Sequence, residues 1–228
     1  MKKMFTLVAL AAISATASAG SNLFVDGSFE QIAMSPGTWG IVPQATLTAD
    51  EGKKGWTVTA APGITATNVG LEVRNDVVGT AEDANAQGFG NFIELDGNEN
   101  DMISQTLKTT VGQQYEITFW YADRPDLTAK QMKTTGGWKA SVGSGADKFT
   151  VNFKGSAGTD WVEETIDFTA VAKNTNFSIW ALGTSDGVGT SFDNFQAVAV
   201  PEPGSLGLFA AGIAVLGFTA RRRRARGE

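Results

Sequence analysis

The chain contains neither cysteine nor histidine. Without cysteine no disulfide can stabilise the fold, so core packing must do so, with or without a bound ion. The absence of histidine excludes a Ser-His-Asp or Cys-His nucleophile system, a histidine-ligated zinc site and histidine acid–base chemistry. Any catalysis would have to use carboxylates, tyrosine or lysine.

Basic residues are scarce between the two ends of the chain. Of 18 Lys and Arg, seven lie in residues 1–19 or 200–228, as do two of the 24 Asp and Glu. Residues 20–199 therefore carry a net charge of −11. Such a domain repels nucleic acid and anionic lipid but accepts divalent cations and neutral polymers. Solubility alone would explain the same charge.

The N-terminus has the order of features typical of a secretory signal. Lys2 and Lys3 precede an apolar run over residues 4–13, and small residues at positions 17 and 19 follow. This pattern predicts a signal helix over residues 1–19, removed by signal peptidase after Ala19.

The C-terminus combines three features in a fixed order. Pro201, Glu202 and Pro203 form a segment that can be neither helix nor central strand. Residues 206–220 are uncharged and apolar, and arginines occupy positions 221–224. We predict a transmembrane helix over 206–220, slightly short for a bilayer, with the arginines on the cytoplasmic side. The apolar helix directly before the arginines disfavours the alternative that they form a nucleic-acid-binding arm.

Together these features resemble the PEP-CTERM sorting domain, here over residues 200–228. The resemblance implies that an exosortase recognises the chain and processes it near 201–203. It also implies a Gram-negative host that makes exopolysaccharide. The protein would be anchored transiently in the inner membrane by the C-terminal helix and then reach the cell surface or extracellular matrix.

Short alternating segments separated by glycine-rich turns indicate that residues 20–199 form an all-β domain. In one of them, Tyr115, Ile117, Phe119 and Tyr121 share a face. We predict an antiparallel two-sheet jelly-roll sandwich. The predicted strands are 22–29, 56–59, 71–74, 91–95, 103–108, 115–121, 138–142, 149–153, 162–168, 177–181 and 191–200.

Ten short motifs in this domain resemble galactose-binding-like jelly-roll modules, which occur in carbohydrate-binding domains. The motifs are 26–30, 55–56, 70–73, 91–97, 103–107, 111–115, 118–122, 160–162, 168–170 and 192–194. Most of their large apolar residues are expected to form the core. The expected core residues are Phe29, Trp56, Leu95, Phe119, Trp161 and Phe192.

The resemblance further implies a structural calcium ion held by Glu30 near the first strand and Asp193 near the last. Calcium requires six to eight oxygen ligands, so backbone carbonyls would have to complete the site. The alternative is that both carboxylates only cap strand ends through hydrogen bonds. No other cofactor is expected.

Sugar binding requires an aromatic face for stacking and fixed polar groups for the hydroxyls. Trp39 lies in a Pro/Gly-rich segment, and Arg74 and Arg124 are the only arginines of residues 20–199. The loop candidates for such a site are Trp39, Arg74, Asp96, Tyr121, Arg124 and Trp138.

Three functions are compatible with these features. The first is a non-catalytic surface or matrix protein that binds exopolysaccharide, and the second is a structural or adhesive coat protein that recognises protein partners. The third is a glycosidase using Glu94 and Asp96, whose two-residue spacing on one strand face gives about 6.6 Å. That face alternates with Ile93 and Leu95 as an exposed strand face should, which disfavours the enzyme.

Overall fold

A computed structural model describes residues 20–44, 47, 55–75, 90–124, 128, 130–131, 136–143, 145–154, 158 and 160–201. This part of the chain contains eleven strands and the 3-10 turn Gly145–Asp147. The strands are β1 Thr38–Val42, β2 Thr57–Ala60, β3 Leu71–Asn75, β4 Asn91–Glu94, β5 Asp101–Lys108, β6 Gln114–Asp123, β7 Trp138–Val142, β8 Phe149–Phe153, β9 Val162–Thr169, β10 Asn174–Ala181 and β11 Thr190–Ala199.

The strands form two sheets, and the chain passes repeatedly from one sheet to the other. The six-stranded sheet has the order β1-β3-β4-β11-β6-β9, and the five-stranded sheet has the order β2-β5-β10-β7-β8. Every strand pairing in the described residues is antiparallel. The predicted all-β, two-sheet jelly-roll sandwich is confirmed.

The facing sides of the two sheets enclose the core. Phe29, Trp56, Leu95, Phe119 and Phe192 all belong to it, as predicted. Trp161 is buried too, but in a second cluster with Phe92 and Ala122. That cluster lies on the outer face of the six-stranded sheet, because Phe92 and Ala122 alternate with core residues along β4 and β6.

The strand predictions failed in two places. Residues 22–29 form bends rather than a strand, because Asp26 and Phe29 have left-handed backbones, with φ of 52° and 59°. This first segment is instead tied to β11, where the Leu23 N–H donates to the Ala197 carbonyl at 2.9 Å. Conversely, β1 was missed, although it pairs with β3 along its whole length.

Residues Gly20–Val200 form one compact unit. The predicted signal helix over 1–19, the helix over 206–220 and the arginine cluster lie outside the described residues. Within the described part of the chain, no helix has the length and apolar character that crossing a membrane requires.

Candidate functional site

Charged residues occupy the outer face of the six-stranded sheet where β3 and β4 meet. On β3, Glu72 and Arg74 alternate with core residues, and on β4 Glu94 follows Ile93. Glu72 and Glu94 are directly opposite each other in the register, so their side chains share a face. Both are buried, and Glu94 is 0% exposed.

Two arginines balance these carboxylates. Arg74 forms an ion pair with Glu72, and its Nε lies 3.5 Å from Glu94 Oε2. Arg124 Nη1 lies 3.8 Å from Glu94 Oε1, which also accepts a 2.8 Å hydrogen bond from the Gly189 N–H. The 3.5 Å contact is an ion pair without good hydrogen-bond geometry, since Arg74 Nε and Glu94 Oε2 find no hydrogen-bond partner among the described residues.

Trp39 forms the exposed border of this network. It lies on β1 directly opposite Arg74, whose guanidinium carbon is 5.6 Å from the centre of the indole ring. The side chain is 57% exposed, so indole surface remains open to a ligand. The predicted loop positions of Trp39 and Arg74 were wrong, because Trp39 is part of the edge strand β1 and Arg74 is buried on β3. We call Trp39, Glu72, Arg74, Glu94 and Arg124 the outer-face site.

Burial sets the electrostatics of the outer-face site. Desolvation, followed by repulsion from Glu72, raises the pKa of Glu94 to about 8 against the opposing effects of Arg74 and Arg124. Burial also raises the pKa of Glu72, which the Arg74 guanidinium opposes. Of the five residues of the site, Glu72, Arg74 and Glu94 are buried. The groups that a ligand could reach are the Trp39 indole and the Arg124 side chain, which is 16% exposed.

The other three sugar candidates are not exposed loop residues. Asp96 is buried beside the outer-face site, and its Oδ2 accepts a 3.1 Å hydrogen bond from the Asp186 N–H. Tyr121 and Trp138 lie in the core, with ring centres 5.4 Å apart, because β6 and β7 direct them inward. The predicted loop positions of Tyr121 and Trp138 were therefore wrong, whereas Asp96 does lie in the turn between β4 and β5.

The prediction that Glu94 and Asp96 lie on an exposed strand face was also wrong. β4 lies between β3 and β11 inside the sheet, and both carboxylates are buried. Glu72 was not predicted as part of the site. The signal for it was a carboxylate and a guanidinium two residues apart in an otherwise apolar strand, Leu-Glu-Val-Arg.

Glu30 and Asp193, the predicted calcium ligands, approach each other at the junction of the first segment and β11. Glu30 Oε1 accepts a hydrogen bond from the Asn91 N–H at 2.8 Å, and Asp193 Oδ1 accepts one from the Asn194 N–H at 2.6 Å. Burial, then the charges of Glu30 and Asp26, raise the pKa of Asp193 to about 8, although the Asn194 N–H opposes this. Asp26 is therefore a third carboxylate in this region, which was not predicted.

These residues suit a hard divalent cation, because carboxylate oxygens that repel one another gain most from an added positive charge. In the described residues, no group of three or more carboxylates converges closely enough to hold a metal. Calcium would therefore need carbonyl oxygens and water as further ligands. A bound cation would lower the raised pKa of Asp193, because it would stabilise the ionised carboxylate.

Comparison with known proteins identifies the tail. Residues 199–224 match the family model of the PEP-CTERM protein-sorting motif. The chain carries a PEP-CTERM motif. This match confirms the resemblance seen in Pro201, Glu202, Pro203 and the arginines, and it covers the tail rather than the sandwich. A search of curated proteins finds no match to this chain.

Solved structures similar to this chain include carbohydrate-binding modules. TmCBM61, solved with β-1,4-galactotriose, is 16% identical with a TM-score of 0.47 over 78% of this chain and 99% of that one. The CBM22-1 xylan-binding domain from Paenibacillus barcinonensis Xyn10C is 17% identical, with a TM-score of 0.43 over 82% and 99%. A family 35 module from Clostridium thermocellum is 15% identical, with a TM-score of 0.39 over 70% and 97%.

Proposed function

We propose that this protein is a non-catalytic, exported surface or matrix protein whose sandwich binds neutral polysaccharide at the outer-face site. The observation that carries the proposal is the convergence of Trp39, Arg74 and Arg124. These three residues come from distant parts of the chain, and each was predicted from the sequence as a candidate for sugar binding. The PEP-CTERM motif supports export, and the negative charge of residues 20–199 disfavours anionic partners.

The expected chemistry is stacking of a sugar ring on the Trp39 indole, with hydroxyl groups bonded by Arg124, whose side chain is 16% exposed. Glu72, Arg74 and Glu94 are buried, so they would position the Trp39 ring and the Arg124 guanidinium rather than bind the sugar. A shallow site with one stacked aromatic supplies about −4 to −8 kcal/mol, which corresponds to a Kd in roughly the micromolar to millimolar range. Many tethered copies on one surface would raise the effective affinity.

Replacing Trp39 with alanine should weaken polysaccharide binding about tenfold, since loss of a stacking ring costs about 1.4 kcal/mol. Because the side chain is 57% exposed, stability should hardly change. We would measure binding by calorimetry with the full chain in detergent and matrix polysaccharide from the producing strain. Phe149→Ala, which removes an exposed aromatic from β8 of the other sheet, is the matched control.

Two results would contradict this proposal. One is the absence of heat with any glycan, and the other is identical binding by the parent and by Trp39→Ala. Either would favour the alternative of a structural coat protein that recognises protein partners.

We further propose that signal peptidase cleaves after Ala19 and that an exosortase removes the tail near 201–203, after a transient stay in the inner membrane of a Gram-negative host. Mass spectrometry of protein from the native envelope should then find Gly20 at the N-terminus and no arginine tail. An intact C-terminus at Glu228 in exosortase-positive cells would rule out the processing step.

We also propose that Glu30 and Asp193 hold a structural calcium ion. At a hundredfold excess over Kd, such an ion stabilises the native state by about 2.7 kcal/mol, so a chelator should lower the Tm. Asp193→Asn should show a smaller chelator effect than the parent, whereas Asp147→Asn, at an exposed carboxylate in the 3-10 turn, should not. An equal chelator effect in both variants would contradict this assignment.

A further inference from the structure

The turn between β4 and β5 carries side-chain oxygens at alternate positions. Asp96, Asn98 and Asn100 follow the spacing found in the first half of calcium-binding loops, Asp-x-Asn-x-Asn. In the structure, Asp96 and Asn100 form an antiparallel bridge. Directly opposite residues have Cβ atoms about 5 Å apart, so these two side chains lie side by side.

Both side chains end in an oxygen that lacks a donor. Asp96 is 1% and Asn100 is 3% exposed, and Asp96 Oδ1 and Asn100 Oδ1 have no hydrogen-bond partner in the described part of the chain. Buried acceptors nearly always have a partner in native proteins. Two neighbouring acceptors without a donor therefore indicate a ligand that carries positive charge or donates to both.

The loop over residues 183–189 closes this turn and fixes the orientation of both side chains. Asn100 donates from its backbone N–H to Ser185 Oγ at 2.8 Å and from Nδ2 to the Gly183 carbonyl at 3.1 Å. The Asp186 N–H donates to Asp96 Oδ2 at 3.1 Å. These bonds use Asn100 Nδ2 and Asp96 Oδ2. Asp96 Oδ1 and Asn100 Oδ1 are therefore the oxygens available to a ligand.

The charge around these oxygens is negative. Asp96 is buried, and the exposed Asp186 lies close to it, since the Asp186 N–H bonds Asp96 Oδ2. A cation would be attracted to both carboxylates, whereas a water molecule has no charge to offset the repulsion between Asp96 and Asp186.

We propose that the 96–100 turn and the 183–189 loop form a calcium-type cation site, with Asp96 Oδ1 and Asn100 Oδ1 as ligands and Asp186 as the second charge. Carbonyl oxygens and water complete the coordination, as calcium requires. The site is separate from Glu30 and Asp193. It also bears on the outer-face site, because the same loop supplies the Gly189 N–H that bonds Glu94 at 2.8 Å.

The test uses calorimetry with CaCl2 on the full chain in detergent. Asp193→Asn, which disables the other proposed site, should still bind one calcium ion. Adding Asp96→Asn should weaken that binding at least tenfold, and adding the exposed Asp186→Asn should weaken it several-fold. Adding Asp147→Asn, which removes a carboxylate from the distant 3-10 turn, should leave it unchanged.

Asp96→Asn retains an oxygen that can accept the Asp186 N–H, so the loop should still close. Its Tm in chelator should equal or exceed that of its Asp193→Asn parent, because a buried carboxylate has been removed. The proposal is overturned if Asp193→Asn binds no calcium, which would leave water as the ligand of these oxygens. It is also overturned if Asp96→Asn and Asp186→Asn both bind calcium as tightly as Asp147→Asn.

Discussion

Replacing Arg74 with alanine is expected to lower the free energy of unfolding by about 3 to 5 kcal/mol. The guanidinium lies between Glu72 and Glu94, which face each other on adjacent strands and are both buried. Without it, two buried carboxylates would remain, with Arg124 as the nearby cation in the described part of the chain. Chemical denaturation at neutral pH, monitored by tryptophan fluorescence, measures the change.

Two further variants show whether the loss of stability in Arg74→Ala comes from the unpaired carboxylates of Glu72 and Glu94. Lys139→Ala removes another cation over a tryptophan, since Lys139 Nζ lies 5.7 Å from the centre of the Trp180 ring. Because that pair contains no buried carboxylate, we expect a loss below about 1 kcal/mol. Adding Glu72→Gln to Arg74→Ala should recover part of the lost stability. A loss below 1 kcal/mol for Arg74→Ala would contradict this account of the ion-pair network.

Replacing Gly27 with alanine is the second large effect that we expect, at about 3 kcal/mol or more. A Cβ atom at this position would lie 2.0 Å from the Phe195 carbonyl oxygen, which is backbone and cannot turn away. The Gly27 carbonyl also accepts a hydrogen bond from the Phe195 N–H at 2.9 Å, so the two segments cannot separate without losing it. Thermal unfolding followed by circular dichroism is the measurement.

Gly40→Ala provides the matched control for this prediction. Its added Cβ would meet only the flexible Met34 side chain, at 4.0 Å. We expect a Tm within a few degrees of the parent, since alanine is readily accommodated there. Equal stability of the Gly27 and Gly40 variants would show that the first segment does not pack on β11 as described.

Sequence alternation predicted most of the sandwich, because one-sided burial leaves a period of two in the residues. It predicted β7 and β8 with the correct bounds. It failed for residues 22–29, where apolar side chains are buried from a bent backbone that has no such period. It also missed β1, whose surroundings are rich in proline and glycine and whose first residues are exposed.

The candidate site was predictable in its residue types but not in its contacts. Trp39, Arg74 and Arg124 were selected because an exposed tryptophan and scarce arginines suit a sugar. Their association depends on the order β1-β3-β4 and on long-range pairing, which a single sequence does not specify. Tyr121 was misplaced because the predicted strand ended there, whereas β6 continues to Asp123 and keeps Tyr121 on the internal face that it shares with Phe119.

The position of β11 imposes an order on folding during secretion. This strand lies between β4 and β6 in the six-stranded sheet and also binds the first segment, yet it is the last of the described strands in the chain. In a chain that is exported with its N-terminus first, the sheet could not close until residue 199 had been delivered, so assembly would follow export. The final sheet contacts end at Val200, whose N–H donates to the Gln114 carbonyl at 2.9 Å. Proteolysis beyond that point would therefore release a sandwich that keeps all of its described strands.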